Sequence, residues 1–229
     1  YQLGVVYERE GDLPRAQLAT AERYSLQGRA NLALLSAEAA PLMRYGVINS
    51  LAQLVLKLTL PGVPDIYQGT EDWDLSFVDP DNRRPVDYEA RAARLEESTP
   101  LPALLAAWQD GRVKQRVMQL LLAHRHAHPL LYRDGDYRPA RIKGAKRSHV
   151  LAFRRMFGLE DVIVVVPLRG AGFAPDPWPL GESFWGDTRL ALSGQSRQNI
   201  LTGEMVDTSL AQIFGQFPAA VLVKPFTPL

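Results

Sequence analysis

Across residues 41–60 apolar side chains cover most of a helical circumference, and no other stretch restricts the fold as much. Leu42, Met43, Tyr45, Val47, Ile48, Leu51, Leu54, Val55, Leu56 and Leu58 leave only Asn49, Gln53 and Lys57, spaced by four, as a polar stripe. A helix of about five turns with so narrow a wet face must be buried on more than one side. Pro61 keeps it from continuing and Gly62 suits a left-handed cap after its last turn. Residues 63–67 then predict a short buried strand, and a polar segment follows. Helix, strand and polar loop in that order are how barrels and open α/β sheets deliver a site at a strand's C-terminal end.

The segment that follows, to residue 88, is rich in chemistry for its length. Glu71, Asp72, Asp74, Asp79, Asp81 and Asp87 stand beside Arg83, Arg84, Asn82, Gln68, Tyr67 and Trp73. So many carboxylates near one strand end repel one another unless a partner or a ligand is provided. Asp81-Asn82 and Arg84-Pro85 are turn-forming pairs and predict an ordered loop. The plainer reading of single residues is structural: Asp81, Arg83, Arg84 and Asp87 as ion pairs that pin the loop, and Glu71 as an acceptor of backbone hydrogen bonds.

Residues 1–40 read as helical, with breaks at residues 11–14 and near Gly28. Leu3, Gly4, Tyr7, Gly11, Asp12 and Ala16 fall at the spacing of half a tetratricopeptide repeat, but Thr20 and Arg23 break the match. A lone half-repeat cannot bury its own face, so two ordinary helices are the better reading. Beyond the loop, residues 86–97 and 101–108 predict two short helices. A longer helix starts at Asp110-Gly111, with Val113, Val117, Leu120, Leu121 and His124 inward and Arg112, Lys114, Gln115, Arg116 and Gln119 outward. It should stop before Pro129. After Gly135 the period changes, and residues 137–143, 149–155, 162–166, 188–192, 199–201 and 220–223 predict strands. A domain boundary is therefore expected near residue 133, with 134–229 all-β and residues 170–186 a long loop carrying Trp178 and Trp185.

The string Gly62-Val63-Pro64-Asp65-Ile66-Tyr67-Gln68-Gly69-Thr70-Glu71 resembles the last-strand motif of the α-amylase superfamily, with Gln68 where many members have a second tyrosine. Residues 73–87, WDLSFVDPDNRRPVD, resemble more narrowly the maltooligosyl trehalose synthase family within it. Leu122-Ala123-His124-Arg125 before His128-Pro129, then Gly135-Asp136-Tyr137, resemble the final barrel helix and the start of the superfamily's C-terminal β domain. Trp185-Gly186-Asp187-Thr188-Arg189 resembles the β domain of the narrower family. The similarity runs over about residues 41–225 and is strongest over 54–88.

The resemblance implies an α+β fold: residues 1–133 as the closing, mostly helical part of a (β/α)8 barrel with its last strand, and residues 134–229 as an antiparallel β-sandwich. It implies a parent enzyme that converts the reducing-end linkage of a maltooligosaccharide into a trehalose linkage, without a cofactor. The superfamily's chemistry rests on an Asp nucleophile, a Glu acid/base and a stabilising Asp at the ends of strands four, five and seven. A retaining mechanism needs its two reacting carboxyls about 5–5.5 Å apart. None of the carboxylates here lies in a motif with those roles, so the expected catalytic set is empty and the isolated chain is expected to be inactive. As sugar-cleft residues the position implies Tyr67, Gln68, Glu71, Asp79, Asp81, Asn82 and Arg83. Since the chain begins at Tyr1, it is expected to be a piece of a longer protein, with the missing barrel part as partner and an open sheet edge that invites self-association. Alternatives are a carbohydrate-binding or assembly module, or an α-amylase-type hydrolase of other specificity.

Other classes find little support. The 26 basic and 25 acidic residues nearly cancel, which removes any overall pull toward nucleic acid or an anionic membrane. There is no cysteine, so neither a disulfide framework nor a thiolate metal site exists, and the expected location is cytoplasmic. No run approaches the roughly 18 apolar residues of a membrane helix, and the N-terminus lacks a signal-peptide pattern. His124, His126 and His128 suggest a metal, but only positions four apart share a helix face and no second cluster completes a shell, so no metal is expected. Arg138, Arg141, Lys143, Lys146, Arg147, Arg154 and Arg155 form a basic run with no acid between residues 137 and 159. It reads as a solvated face, or one docked on the helical part. Gly203 is a turn glycine, and no phosphate-loop pattern occurs.

Overall fold

A computed structural model describes residues 30–74, 79–80, 82–168, 178–192 and 196–225, with only the backbone of 30–42. The half-repeat spacing and the breaks before residue 30 lie outside these residues. The helix expected from residue 41 starts earlier: α1 spans Ala30–Thr59, because the Ala- and Leu-rich run ahead of Pro41 is itself strongly helix-forming. At its end the Thr59 hydroxyl donates to the Val55 carbonyl at 2.6 Å, and Gly62 takes a φ of +120°.

Residues 63–67 do not form the expected strand. Their backbone pairs with no strand among the described residues, and Val63 is 96% exposed. A strand exists only through a neighbour's ladder, and these residues have none alongside. The helix α2 follows at Tyr88–Leu95, its first turn capped by the Asp87 carboxylate, which accepts from the Ala90 N–H at 2.9 Å. Next come α3 (Leu101–Ala106), a 3-10 turn (Trp108–Asp110) and α4 (Arg112–Ala127). Helix α4 does stop short of Pro129, but that proline opens a further helix, α5 (Pro129–Asp134), from a first-turn position where its missing N–H costs nothing.

The rest is built on an antiparallel sheet. Strands β1 (Arg138–Pro139), β3 (Val150–Phe157), β4 (Glu160–Pro167), β6 (Arg197–Asn199), β7 (Met205–Val206) and β8 (Ala220–Val223) make one six-stranded sheet in the order β1-β3-β4-β8-β6-β7. Strands β2 (Ile142–Lys143) and β5 (Arg189–Leu190) pair separately as a two-stranded ribbon. The second layer expected of a sandwich is thus mostly not sheet. It consists of this ribbon with two short helices, α6 (Gly181–Trp185) and α7 (Leu210–Ile213). Helix α6 falls inside the stretch read as a loop, because Trp185 is buried and its indole N–H donates to the Pro179 carbonyl at 2.8 Å.

Strand β4 is central and has no wet face. Val162, Val164 and Val166 join Val47, Leu51, Val55 and Leu58 of α1 in one core, while Ile163 and Val165 pack with Trp185, Leu210 and Phe214 in another. Alternation along a strand explains the division. The first core continues from the helices before residue 133 into the sheet after it, so α1 is covered on two sides, by α4 and by the sheet.

Candidate functional site

Two arginines on one face of α2 organise the acidic loop. Arg91 reaches Glu71 at 3.1 Å, Asp72 at 3.2 Å and the carbonyls of Gly69 and Asp87 at 3.1 and 3.2 Å. Arg94 closes on the other oxygen of Asp72 at 2.8 Å. The spacing of three places both guanidiniums on the side of α2 that meets the loop. Lys114 on α4 donates to the Asp72 backbone carbonyl at 2.8 Å and lies 5.7 Å from the centre of the Trp73 ring. Burial pushes its ammonium down from the ordinary value, against the pull of the Asp72 and Asp74 charges. Lys114 and Gln115 are therefore not on the outward face expected of them. The Gln115 amide donates to the Arg91 carbonyl at 2.8 Å, which draws that side chain inward.

The approach of α4 to the loop depends on Gly111. Its φ is +77°, and a Cβ there would lie 2.4 Å from Cβ of Asp72. Gly111→Ala should cost at least about 1–3 kcal/mol from the left-handed backbone alone, with the clash in addition. A lowered midpoint in urea denaturation would show it, and an unchanged midpoint would mean that this contact is not formed.

The expected cleft residues separate into groups. Gln68 and Asn82 line one hollow of about 160 Å3, together with Trp73, Arg84 and Val86. The Gln68 amide oxygen accepts from the Tyr88 hydroxyl at 2.9 Å, leaving its N–H groups on the donor side. The Asn82 side-chain oxygen is buried without a hydrogen-bond partner, a state that calls for water or a ligand group. Tyr67 stands 45% exposed on the turn closed by Thr70, whose N–H and hydroxyl both donate to its carbonyl. Glu71 is turned toward Arg91. It bonds a guanidinium rather than the backbone donors expected of it. Asp79 and Arg83 form an exposed forked ion pair, which adds little stability. Asp81 lies outside the described residues. Arg91, Arg94, Lys114 and Trp108 were not anticipated, although the paired arginines facing an acidic loop are visible once α2 is drawn as a helix.

Chemically this is a polar, hydrogen-bonding wall with aromatic surface. Among the described residues no group of three His, Asp or Glu side chains could hold a metal ion. His124, expected on the inward face, is half-buried. Its ring pairs with the Tyr132 hydroxyl at 2.9 Å, and burial, with the His128 imidazole beside it, pushes it down to about 4. His128 faces Glu160 at 3.0 Å instead.

Comparison with known proteins gives this wall a context. The chain is 36% identical over 189 residues, 81% of its length, to the putative maltooligosyl trehalose synthases of two Mycobacterium tuberculosis strains. This chain matches a segment of the maltooligosyl trehalose synthases. It spans only 22% of the length of those curated relatives. The maltooligosyltrehalose synthase from Arthrobacter ramosus superposes with a TM-score of 0.67 at 32% identity, covering 86% of this chain and 24% of that one. A second solved maltooligosyl trehalose synthase gives 0.64 at 24% identity over 89% of this chain and 25% of that one, a likeness of fold. No family model matches the chain. No helix among the described residues is long and apolar enough to cross a membrane.

Proposed function

We propose that this chain is part of an intramolecular transglucosylase of the maltooligosyl trehalose synthase kind, acting in the cytoplasm on maltooligosaccharides. The similarity over 189 residues carries this reading. In such an enzyme the reducing-end α-1,4 bond breaks as an aspartate takes the anomeric carbon and a glutamic acid protonates the departing oxygen. The released glucose stays in place, and its anomeric hydroxyl, deprotonated by the same glutamate, displaces the aspartate to form the α,α-1,1 bond. Both carboxyls belong to the rest of the barrel. This chain supplies one wall of the sugar cleft, with Gln68 and Asn82 as hydrogen-bonding groups and Tyr67 as a stacking surface, and a supporting β domain over residues 134–229.

The missing barrel part also suits the open groove of about 600 Å3 whose lining includes Ile66, Tyr88, Leu95, Met118 and Leu122, an apolar face beside the unpaired residues 63–67. Left uncovered, that face favours self-association of the chain, which light scattering across concentration would reveal.

Incubated with maltopentaose, the chain alone should release no trehalosyl product; product formation would show that it carries its own catalytic carboxyls. Maltotriose should shift the side-chain amide resonances of Gln68 and Asn82 in a saturable way, and Tyr67→Ala should weaken that response about tenfold, the loss of roughly 1.4 kcal/mol of stacking. Amide resonances that stay fixed would instead favour a purely structural role for this segment.

A further inference from the structure

We infer that the hollow between α1 and the Trp73 turn is a second carbohydrate site, shaped for one neutral pyranose unit; it adjoins the hollow that Gln68 and Asn82 share, with Trp73 and Asp74 lining both and Trp108 lining only the second site. The inference rests on the proposed function only for the choice of an α-glucan as probe.

The hollow measures about 320 Å3, within the range of small-molecule sites. Met43, Val47, Trp73 and Trp108 give it an apolar lining, and Ser50, Lys114 and Asp74 bring polar groups to it. A pyranose presents the same division, with C–H faces that lie on indole and hydroxyls that both donate and accept. Ammonium and carboxylate in one lining suit a neutral polyol better than an anion or a cation, because neither sign of ligand charge is favoured.

The walls are held before any ligand arrives. The Trp73 indole N–H donates to the Trp108 carbonyl, which fixes the ring. Lys114 is anchored on the Asp72 carbonyl, and Asp72 is held in turn by Arg91 and Arg94. Rigid walls lower the ordering cost of binding.

The second observation is Gly46. It lies within α1, where glycine costs about 1 kcal/mol relative to alanine. Yet among the described residues a Cβ built on it would meet nothing within 4 Å, so no described side chain requires the glycine. Gly46 lines the hollow on the same helix face as Met43 and Ser50, and its missing side chain leaves the floor open to a ligand approaching the backbone.

The test uses the whole chain and maltotriose, followed through tryptophan indole N–H and Gln68 and Asn82 side-chain amide resonances. The indole signals of Trp73 and Trp108 should shift and saturate. Gly46→Leu should weaken the Trp108 response at least tenfold without lowering the melting temperature, because leucine is a better helix former and its Cβ meets nothing within 4 Å among the described residues. Tyr67→Ala should leave the Trp108 indole response intact. Shifts confined to Gln68, Asn82 and Trp73, or a Trp108 indole shift that survives Gly46→Leu, would overturn the second site while leaving the first cleft standing. Equal indole shifts with sodium phosphate would identify an anion site and overturn the pyranose assignment. Silence at every resonance would remove both sites.

Discussion

Truncating Asp161 to alanine is expected to destabilise the folded chain by roughly 3–5 kcal/mol, the cost of breaking a buried ion pair by removing one partner. The Asp161 side chain is fully buried at the start of β4 and gathers three cations. Arg154 of β3 lies at 2.7 Å, Arg197 reaches over β8 from β6 at 2.8 Å, and Lys224 stands at 3.6 Å. One carboxylate thus joins strands from both sides of the sheet's centre. Its loss leaves Arg154 and Arg197, both mostly covered, with positive charge and no counterion. For a chain of this size the drop corresponds to roughly 10 °C in melting temperature. Asp161→Asn, which keeps one acceptor oxygen, should lose less. A loss below 1 kcal/mol in Asp161→Ala would mean that the cluster is solvated.

The same group gives stability a dependence on acid. Burial alone pushes the Asp161 carboxyl up, but the Arg197 hydrogen bonds and the charges of Arg197, Arg154 and Lys224 outweigh it and hold the carboxyl below its ordinary value. The unfolded chain then takes up the proton first as pH falls. The stabilisation is complete above about 4, the ordinary carboxylate value, and is lost as pH drops through the lower folded value. The gap between the native chain and Asp161→Ala in urea denaturation should therefore be constant from pH 7 to about 5 and close below 4. His124 also titrates in acid, with the same sense of shift but through burial of a neutral ring: its folded value near 4 lies below the ordinary one, so stability falls as pH drops below about 6.5. That contribution is common to both proteins and cancels in the difference.

What could be read in advance depended on whether a residue's partner lay nearby in the chain. The apolar stretch after Pro41 required a helix buried on two sides, and α1 is covered by α4 and by the sheet. Strands β3 and β4 were legible as residues 149–155 and 162–166, close to their observed ranges. Residues 63–67 were read as a strand from composition, but pairing depends on a neighbour that composition cannot supply. The basic run over residues 138–155, with no acid within it, read as a solvated face or one docked on the helical part, and Arg155 does reach the helical part through the Thr59 and Tyr132 carbonyls. The run's acids come from just outside, Asp136 for Arg138 and Asp161 for Arg154. Trp185 was assigned to a loop because a five-residue helix has too few turns to show a period. The cleft residues were found as a segment, while their grouping was not: the arginines that draw Glu71 and Asp72 away stand on the next helix.

Arg155 shows the same limit at its most consequential, and replacing it with methionine is expected to cost about 3 kcal/mol or more. Its side chain is fully buried, on the face of β3 turned toward α1, and its hydrogen bonds among the described residues go to backbone carbonyls. The acceptors are Tyr132 at 3.0 Å and Gly135 at 2.8 Å, with longer contacts of 3.4 Å to Thr59 and Asp136. Burial, with the Arg125 charge nearby, pushes the guanidinium below its ordinary value. Methionine fills similar apolar volume but donates nothing, leaving at least two buried acceptors unsatisfied at about 1–3 kcal/mol each. Lysine has one nitrogen in place of a planar fork, so it can satisfy Tyr132 or Gly135 but not span both, and Arg155→Lys should recover only part of the loss. The effect should also be directional. Thr59 is the last residue of α1, and the segment from Pro61 to the Gln68 hollow hangs from it. In Arg155→Met the amide of Leu60, bonded to the Leu56 carbonyl at 2.9 Å, should therefore lose more hydrogen-exchange protection than the β4 amides, which have partners on both sides. Equal loss at both places would show that Arg155 stabilises the whole core without favouring the end of α1.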